Sequence, residues 1–494
     1  MRPKNKKVIV IGAGFSGLSA AAFLSRQGYT VEVHEKNNEV GGRAKVLSED
    51  GFVFDMGPSW YWMPGVAERF FNSFGKTASD FYELKKISPS FRMFFGKDDY
   101  WDVPSEPEEI QELFEKTEPG ASGKFKEFMK EAGAKYETAM KEIIYHPGLS
   151  WTEYLNWPLF KGMWRYSLFT SFRSHIKKYF RHPRLLSLME FPVLFLGASP
   201  DKIPALYSLL NYSGLMQGTW YPMGGMHKLV GAMREIAEAN GASIHRGSEV
   251  DAFSMRDHAI THCSTSGRSL ECDAVVASAD YHHIEQKLLE KPFRRYSEKY
   301  WEKRTMAPSC LIFFLGVSKR IKNIQHHNLF FDHDIDKHIN EIYNRPQWPT
   351  EPLFYASCPT KTDPSVAPDG CENLFLLMPV APGLNDDSPE VREKYFQLLI
   401  SRMEKLTGEE ILPHIIYKKS YSISDFMADH HAYKGNAYGL ANTLLQTGIL
   451  KPSMRSSKVR NLFYAGQLTV PGPGVPTSII SGEIAANEVK KFLN

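Results

Sequence analysis

The chain has 494 residues, of which 43% are hydrophobic and 23% charged, and its formal net charge at pH 7 is +3. This length exceeds the usual size of one domain, and the composition is that of a globular protein. The net charge is too small to indicate a nucleic-acid partner, and none is expected.

The first motif follows a short apolar run at residues 8–11, which predicts a buried strand. Directly after it come Gly12, Gly14 and Gly17, in the order G-x-G-x-x-G. In a strand–turn–helix unit, the first glycine allows a tight turn, the second lets the backbone approach a pyrophosphate, and the third lets the helix pack closely. The helix N-terminus adds free N–H groups and partial positive charge. This segment therefore predicts a dinucleotide site.

A second strand pattern at residues 29–34 ends at Glu35, close to the spacing expected for an acid that binds a ribose 2′-hydroxyl. Gly41, Gly42 and Arg43 follow it. The added glycines allow another close backbone approach, and the forked guanidinium of Arg43 suits a pyrophosphate. Together these features indicate FAD rather than NAD.

Two aromatic segments have alternative interpretations. Trp60, Tyr61 and Trp62 are adjacent, and they line a substrate tunnel or pack in the core. Residues 161–189 contain no acid, and basic residues alternate there with aromatic ones. This pattern suits a helix in a membrane interface, with lysines toward anionic headgroups, and it suits equally a core-packing helix with a solvated basic face.

Nucleotide-binding character returns near residue 219, where Gly224 and Gly225 precede a helix pattern and then further strand patterns. The apolar run at residues 310–317 has the length of a buried strand or a buried helix. We predict an α/β fold in which a discontinuous Rossmann-like FAD-binding domain (1–90, 219–290 and 436–494) holds an inserted α+β substrate domain (91–218 and 291–435).

The C-terminal region repeats the pattern of strand, glycine turn and helix. Residues 461–466 predict a buried strand that ends in glycine, and a loop rich in proline and glycine continues to residue 474. Pro476 opens a helix that extends to about residue 492. We expect the N-terminus of this helix to point at a flavin ring and to favour negative charge on the reduced flavin.

Other polar residues give no metal or nucleophile pattern. The five cysteines have no C-x-x-C or zinc spacing, so we expect reduced thiols and no metal site. The histidine pairs at residues 282–283, 326–327 and 430–431 lack H-x-x-x-H spacing and are predicted to be surface or loop residues.

No signal peptide and no apolar run of spanning length is evident, so we expect a cytoplasmic protein.

These motifs resemble those of the amine-oxidase and phytoene-desaturase flavoprotein superfamily, and within it the bacterial carotenoid (phytoene-type) desaturases. Residues 362–371, 431–438 and 466–481 carry the narrower match, and the loop from Pro471 to Pro476 is its most specific part. The resemblance implies non-covalent FAD, an elongated apolar tunnel, and peripheral (monotopic) attachment to the inner membrane face, from which a carotenoid enters.

The resemblance also implies site residues. The ADP half of FAD would contact Gly12, Gly14, Gly17, Glu35, Gly42 and Arg43, with the Val250 backbone beside the adenine. The isoalloxazine or ribityl part would lie near Gly57, Pro58, Ser59, Gly466, Gln467, Val475 and Pro476. Two departures from the family pattern matter. Gln467 replaces the acid of many amine oxidases, and Thr152-Glu153 replaces the Arg-Asp proposed as catalytic in relatives.

The expected activity is FAD-dependent carotenoid desaturation, of phytoene or of a hydroxylated carotenoid at the 3,4 position. No catalytic residue is assigned, because a polyene has no acidic or nucleophilic group to act on. No second dinucleotide motif is present for NAD(P)H, so the electron acceptor is expected to be oxygen or a membrane quinone. The alternatives are a flavin-dependent carotenoid isomerase or retinol saturase, and a non-catalytic prenyl-lipid binding protein.

Overall fold

The computed structural model describes residues 6–150, 153, 170–194 and 196–494. In chain order, its strands are β1 (Lys7–Ile11), β2 (Thr30–His34), β3 (Val46–Glu49), β4 (Phe52–Asp55), β5 (Leu84–Lys86), β6 (Phe91–Gly96), β7 (Asp99–Val103), β8 (Trp220–Pro222), β9 (Ala242–His245), β10 (Val250–Arg256), β11 (Ala259–Thr265), β12 (Arg268–Glu271), β13 (Ala274–Ala277), β14 (Ser309–Val317), β15 (His327–Phe330), β16 (Phe354–Ser357), β17 (Glu372–Val380), β18 (Ile415–Tyr421) and β19 (Leu462–Tyr464). Its α-helices are α1 (Phe15–Arg26), α2 (Pro64–Asn72), α3 (Pro107–Thr117), α4 (Ala121–Thr138), α5 (Phe172–Ile176), α6 (Pro183–Leu194), α7 (Leu209–Met216), α8 (His227–Ala239), α9 (Tyr281–His283), α10 (Glu298–Glu302), α11 (Ile335–Tyr343), α12 (Pro389–Thr407), α13 (Ile423–His430) and α14 (Val475–Leu493).

A five-stranded parallel sheet carries the first motif, in the strand order β19-β13-β1-β2-β9. Strand β1 is apolar on both faces because both are covered: Val8 and Val10 pack in one core cluster, and Ile9 packs in another. Helices α1 and α14 pack together so closely that a Cβ at Gly482 would lie 2.2 Å from the Ser16 carbonyl oxygen. The first and last helices of the chain are therefore one packing unit.

A second, seven-stranded sheet has the order β18-β14-β17-β16-β15-β6-β7, with β15 and β6 parallel and the other neighbours antiparallel. The apolar run at residues 310–317 is its strand β14, and the side chains alternate between two faces. Ile312 faces one core cluster, while Phe313 packs on the opposite face against Phe396 of α12. The division of the chain into two domains, with boundaries near residues 90, 219, 290 and 436, stays a prediction.

The basic and aromatic segment at residues 161–189 lies partly outside the described residues, which resume at 170. In the described part, Phe172, Ile176 and Phe180 are fully buried in the core around α3 and α4. Lys177 and Lys178 are exposed. The apolar side of this part therefore packs in the core, and the two lysines lie at the surface. In the portion of the chain that the structure describes, no helix combines the length and apolarity needed to cross a membrane.

Lys451 is a buried charge behind the C-terminal loop. Its side chain is 3% exposed, and its Nζ has no hydrogen-bond partner among the described residues. The Nζ would lie 3.5 Å from a Cβ at Gly472, and a Cβ there would also lie 3.4 Å from Asn442 Oδ1. Burial lowers the pKa of Lys451 to about 7. The ammonium form therefore destabilises the folded chain.

We predict that Lys451→Met raises the melting temperature at pH 7 and below, because the folded chain no longer buries a charge. The unfolded amine binds its proton up to about pH 10, whereas the folded amine releases it near pH 7. The unfolded state therefore binds more protons between these values, and wild-type stability rises toward that of the variant as pH increases. Calorimetry from pH 6 to 10 measures the difference, with Lys458→Met, at an exposed lysine, as the control. A difference that grows with pH would contradict this account.

Candidate active site

The turn after β1 has the geometry of a phosphate-binding turn. Gly12 has a φ of +97°, which favours glycine, and its N–H donates to the His34 carbonyl oxygen at 2.8 Å. A Cβ at Gly17 would lie 1.9 Å from the Gly12 carbonyl oxygen. Because Gly17 has no side chain, α1 begins directly on the turn, with its first residues in a cavity wall.

Glu35 lies at the end of β2 and is 5% exposed. Its Oε2 accepts a hydrogen bond from the Ala13 N–H at 2.8 Å, and its Oε1 accepts one from the Asn37 N–H at 2.9 Å. The carboxylate therefore connects the glycine turn to the residues that follow β2. It lines the same cavity as the turn.

The glycine pair at residues 41–42 packs against the glycine turn at residues 12–17. A Cβ at Gly42 would lie 3.4 Å from the Gly14 Cα, and Gly42 has a φ of +57°. A Cβ at Gly57 would lie 2.3 Å from the Arg43 carbonyl oxygen. Three chain segments thus meet with only backbone between them, which leaves N–H groups accessible to a phosphate.

Arg43 places a positive charge in this cleft. Its Nη2 donates to the Asn436 carbonyl oxygen at 3.2 Å, while its Nε is buried without a hydrogen-bond partner in the described structure. Burial lowers the pKa of Arg43, and the nearby Asp280 and Tyr421 raise it. An unsatisfied guanidinium N–H in a cavity wall fits an anionic ligand such as a pyrophosphate.

The C-terminal turn completes the cleft. Gly466 follows β19 with a φ of +109°, and its N–H donates to Ser481 Oγ at 2.9 Å. Helix α14 begins at Val475 with Pro476 in its first turn, and no side chain caps it. Its first N–H groups are therefore available to a ligand in the cavity.

One continuous cavity of about 530 Å³ joins these parts. Of the predicted cofactor residues, Gly17 lies behind the turn, and the others line the cavity: Gly12, Gly14, Glu35, Gly42, Arg43, Gly57, Pro58, Ser59, Val250, Gly466, Gln467, Val475 and Pro476. The charged lining residues belong to this cleft: Glu35, Lys36, Arg43, Glu249, Asp280 and Asp429.

The remainder of the cavity is a tunnel between the second sheet and the helices beside it. Its walls are mainly apolar and include Ile143, Pro192, Leu196, Leu206, Leu209, Leu210, Cys310, Ile312, Leu377 and Tyr438. Among the residues that the structure describes, no Asp, Glu, Lys or Arg lines this tunnel. A ligand that fills both parts is charged at one end of the cavity and apolar at the other.

The aromatic run at residues 60–62 divides between the tunnel and the core. Trp60 and Trp62 line the tunnel, with ring centroids 5.4 Å apart. Tyr61 does not line it and has the second of the two predicted arrangements, packing in the core. The extended backbone sends alternate side chains to opposite sides, and Tyr61 packs in the core, where its hydroxyl bonds to that of Tyr82 at 2.8 Å.

The prediction that the histidine pairs are surface or loop residues is wrong for residues 326–327. His326 and His327 are 2% and 0% exposed, and His327 begins β15. Its ring stacks on Trp60 with centroids 4.1 Å apart and planes 10° apart. Burial lowers the pKa of both rings, so both are neutral near pH 7.

Glu249, His283 and His431 approach one another at the edge of the cleft and suggest a metal site. The two imidazole rings are stacked, however, with centroids 3.8 Å apart and planes 2° apart. Ring nitrogens bind metals with lone pairs in the ring plane, and two parallel planes cannot share one ion. The Glu249 carboxylate instead bonds to His431 Nε2 at 2.7 Å.

The resemblance also pointed to residues 152 and 153. Thr152 lies outside the described residues. Glu153 accepts hydrogen bonds from the N–H groups of Gly148 at 2.8 Å and Leu149 at 2.9 Å, so it stabilises its own loop.

Sequence reasoning missed Tyr355, which lines the tunnel from β16. A single buried tyrosine in an apolar strand carries no signal of a site.

Known proteins share this organisation. The chain matches the family described as flavin containing amine oxidoreductase over residues 15–490. The carotenoid 3,4-desaturase of Haloarcula japonica is 40% identical over 483 residues, 97% of each chain. The zeta-carotene-forming phytoene desaturase of Myxococcus xanthus is 30% identical over 494 residues, 98% of this chain and 94% of that protein. An oxidoreductase structure from Methanosarcina mazei has a TM-score of 0.63 at 17% identity, covering 97% of this chain and 99% of that chain, and shows the fold.

The cleft offers the features that a flavin dinucleotide requires. These are a buried acid beside a glycine turn, an unsatisfied guanidinium N–H, and two helix N-termini that face one cavity. The family match covers nearly the whole chain. This chain therefore belongs to the flavin containing amine oxidoreductase family and is an FAD-dependent oxidoreductase.

Proposed function

We propose that this chain is a carotenoid desaturase, which introduces C=C bonds into a carotenoid with FAD as the oxidant. The observation that carries the proposal is a tunnel without charged walls that continues directly from the dinucleotide cleft. A polyene is long, apolar and thin, so it matches such a tunnel and gains its binding energy from apolar burial. The two desaturases named above are consistent with this substrate class.

The cofactor residues follow from the cleft. Glu35 would accept hydrogen bonds from the ribose, and Arg43 with the glycine turns would hold the pyrophosphate. Val250 would lie beside the adenine. The isoalloxazine would lie against Gly57-Pro58-Ser59 and the loop from Gly466 to Pro476.

Desaturation removes two hydrogens from neighbouring carbons, and FAD, when bound, accepts the two electrons. The tunnel residues position the carbon chain and exclude water. Positive charge that develops on the polyene is delocalised along its conjugated carbons, and this lowers the need for a strong base. We therefore assign no proton acceptor. The electrons pass on to oxygen or a membrane quinone.

The carotenoid would enter from a membrane surface. Thr447 and Gly448 line the tunnel, and the Tyr207 hydroxyl lies 3.4 Å from Thr447 Oγ1. Beside them, Leu445 is 73% exposed and Leu444 is 40% exposed. Exposed leucines at a tunnel mouth suit contact with acyl chains, and the basic face at residues 177–181 suits anionic headgroups. The chain would then be a peripheral protein of the cytoplasmic membrane face.

We predict that Glu35→Ala raises the dissociation constant for FAD at least tenfold, because a charged acceptor for the ribose hydroxyls is lost. The measurement removes the flavin from the purified protein, titrates the flavin-free protein with FAD and follows the flavin fluorescence. Glu32→Ala is the matched control, since Glu32 lies on the same strand and pairs with Lys7 outside the cavity. Equal FAD affinity in the Glu35 variant and the wild type would overturn the ribose assignment.

Expression in cells that accumulate phytoene, and in cells that supply a 1′-hydroxylated carotenoid, tests the activity. We expect more conjugated, coloured product in at least one strain. A product isomerised or saturated without net desaturation would replace this proposal with an isomerase or saturase. A purified protein without flavin would replace it with a prenyl-lipid binding protein, although the intact cleft around Glu35 and Arg43 disfavours that function.

Two triple variants test membrane contact. We expect Lys177→Gln, Lys178→Gln and Arg181→Gln together to lower binding to anionic vesicles, because attraction to the headgroups is lost. Leu444→Ser, Leu445→Ser and Leu450→Ser together should lower binding to neutral and anionic vesicles alike, since apolar contact is lost. Vesicle co-sedimentation measures both. Unchanged binding by both variants would show that neither surface contacts the membrane.

A further inference from the structure

A chain of three polar groups, a half-buried serine and two buried side chains behind it, interrupts the apolar tunnel. Tyr355 OH lies 2.9 Å from Ser59 Oγ and 2.6 Å from His327 Nδ1. Ser59 and Tyr355 line the cavity, while His327 lies behind them, fully buried. The hydrogen bonds satisfy the Tyr355 hydroxyl and His327 Nδ1 and leave Ser59, at the end of the chain facing the cavity, as the group that a ligand can contact.

The chain is held rigidly and carries no charge. Trp60 stacks on the His327 ring and fixes its plane. Burial lowers the pKa of His327, with His326 adding to the effect, so the ring is neutral. Burial also raises the pKa of Tyr355, so its hydroxyl keeps its proton. The three groups therefore act through hydrogen bonds alone.

The unpartnered atom of His327 sets the direction of these hydrogen bonds. Its Nε2 is buried with no hydrogen-bond partner in the described structure. A buried N–H without a partner is rarer than a buried acceptor without one, which favours the tautomer with hydrogen on Nδ1. Nδ1–H then donates to the Tyr355 oxygen, and Tyr355 donates to Ser59 Oγ. The Ser59 O–H remains available as a donor to a group in the tunnel.

We propose that the Ser59 hydroxyl, oriented by Tyr355 and His327, donates a hydrogen bond to an oxygen atom on the carotenoid, so that the enzyme selects a substrate hydroxylated near the bond it desaturates. This inference rests on the proposed desaturase function and specifies its substrate class. Ser59 is the binding residue, and Tyr355 and His327 are positioning residues.

The same three groups are poorly suited to accept a proton. A relay through Ser59 and Tyr355 would end on His327 and leave a buried imidazolium, which its surroundings disfavour. The favoured tautomer also has its hydrogen on Nδ1, the atom that would have to accept. A neutral donor is therefore the function that fits this chain of groups.

The experiment uses FAD-loaded enzyme and two carotenoids that differ only in one 1′-hydroxyl group. The measured quantity is the ratio of kcat/KM for the hydroxylated and the non-hydroxylated substrate. A second readout is the ratio of their dissociation constants, from quenching of tryptophan fluorescence. We expect wild type to prefer the hydroxylated carotenoid at least tenfold, since a site built to hydrogen-bond an oxygen rejects the analogue that lacks it.

Ser59→Ala should bring both ratios close to one, and Tyr355→Phe should lower them by a smaller factor because Ser59 loses its orientation. Tyr61→Phe is the matched control. It removes a tyrosine hydroxyl from the same segment as Ser59, one that bonds to the Tyr82 hydroxyl at 2.8 Å in the core, and should leave both ratios as in wild type. Tyr355→Phe keeps the test decisive if Ser59→Ala does not fold.

The outcomes separate this inference from the proposed function. Desaturation of neither carotenoid would overturn both. Desaturation of both with equal kcat/KM would leave the desaturase function standing and overturn the role of Ser59. Equal losses on both substrates in Ser59→Ala, or loss of bound FAD from that variant, would assign the hydroxyl to the flavin and overturn the inference as well.

Discussion

Close backbone contact around the glycine turn is the constraint on which the rest of the structure depends. The turn at Gly12, the start of α1 and Gly482 in the middle of α14 meet at distances that admit no side chains. These contacts join the first and last parts of the chain around one sheet. They also place two helix N-termini at the same cavity, so the packing that builds the fold builds the anion-binding surface too.

The charged residues and the apolar residues of the cavity lie in different parts of it, so that one ligand can bind with its charged end in the cleft and an apolar part in the tunnel. Among the residues that the structure describes, the acidic and basic side chains that line the cavity belong to the cleft, where the ligand has phosphates, and the tunnel walls carry no Asp, Glu, Lys or Arg. The separation follows from the two sheets. Loops at the strand ends of the parallel sheet supply the charges, whereas the tunnel is walled by one face of β14 and β17, whose side chains alternate between tunnel and core.

The local motifs could be predicted from sequence, because each lies on consecutive residues with a required spacing. Gly12, Glu35, Arg43 and the helix after Pro476 belong to this class, and all of them line one cavity. Features that depend on tertiary partners could not be predicted. Nothing in the local sequence shows that Phe172 and Phe180 face inward, or that Ser59, His327 and Tyr355 meet from distant segments. Alternation along an extended segment is a local signal that separates Tyr61 from Trp60 and Trp62.

The tunnel keeps its polar groups neutral, and this has a consequence for the proposed chemistry. Burial raises the pKa of the Cys310 thiol, which lines the tunnel, to about 12, so the thiol is uncharged near pH 7. Positive charge that develops on a polyene there meets no fixed anion in the described walls. The aromatic rings that line the tunnel, among them Trp62, Tyr355 and Tyr438, can stabilise such a charge, because an aromatic ring attracts a cation through its quadrupole. Stabilisation of this kind is weak and spread along the tunnel, which suits a charge that is itself spread along a conjugated chain.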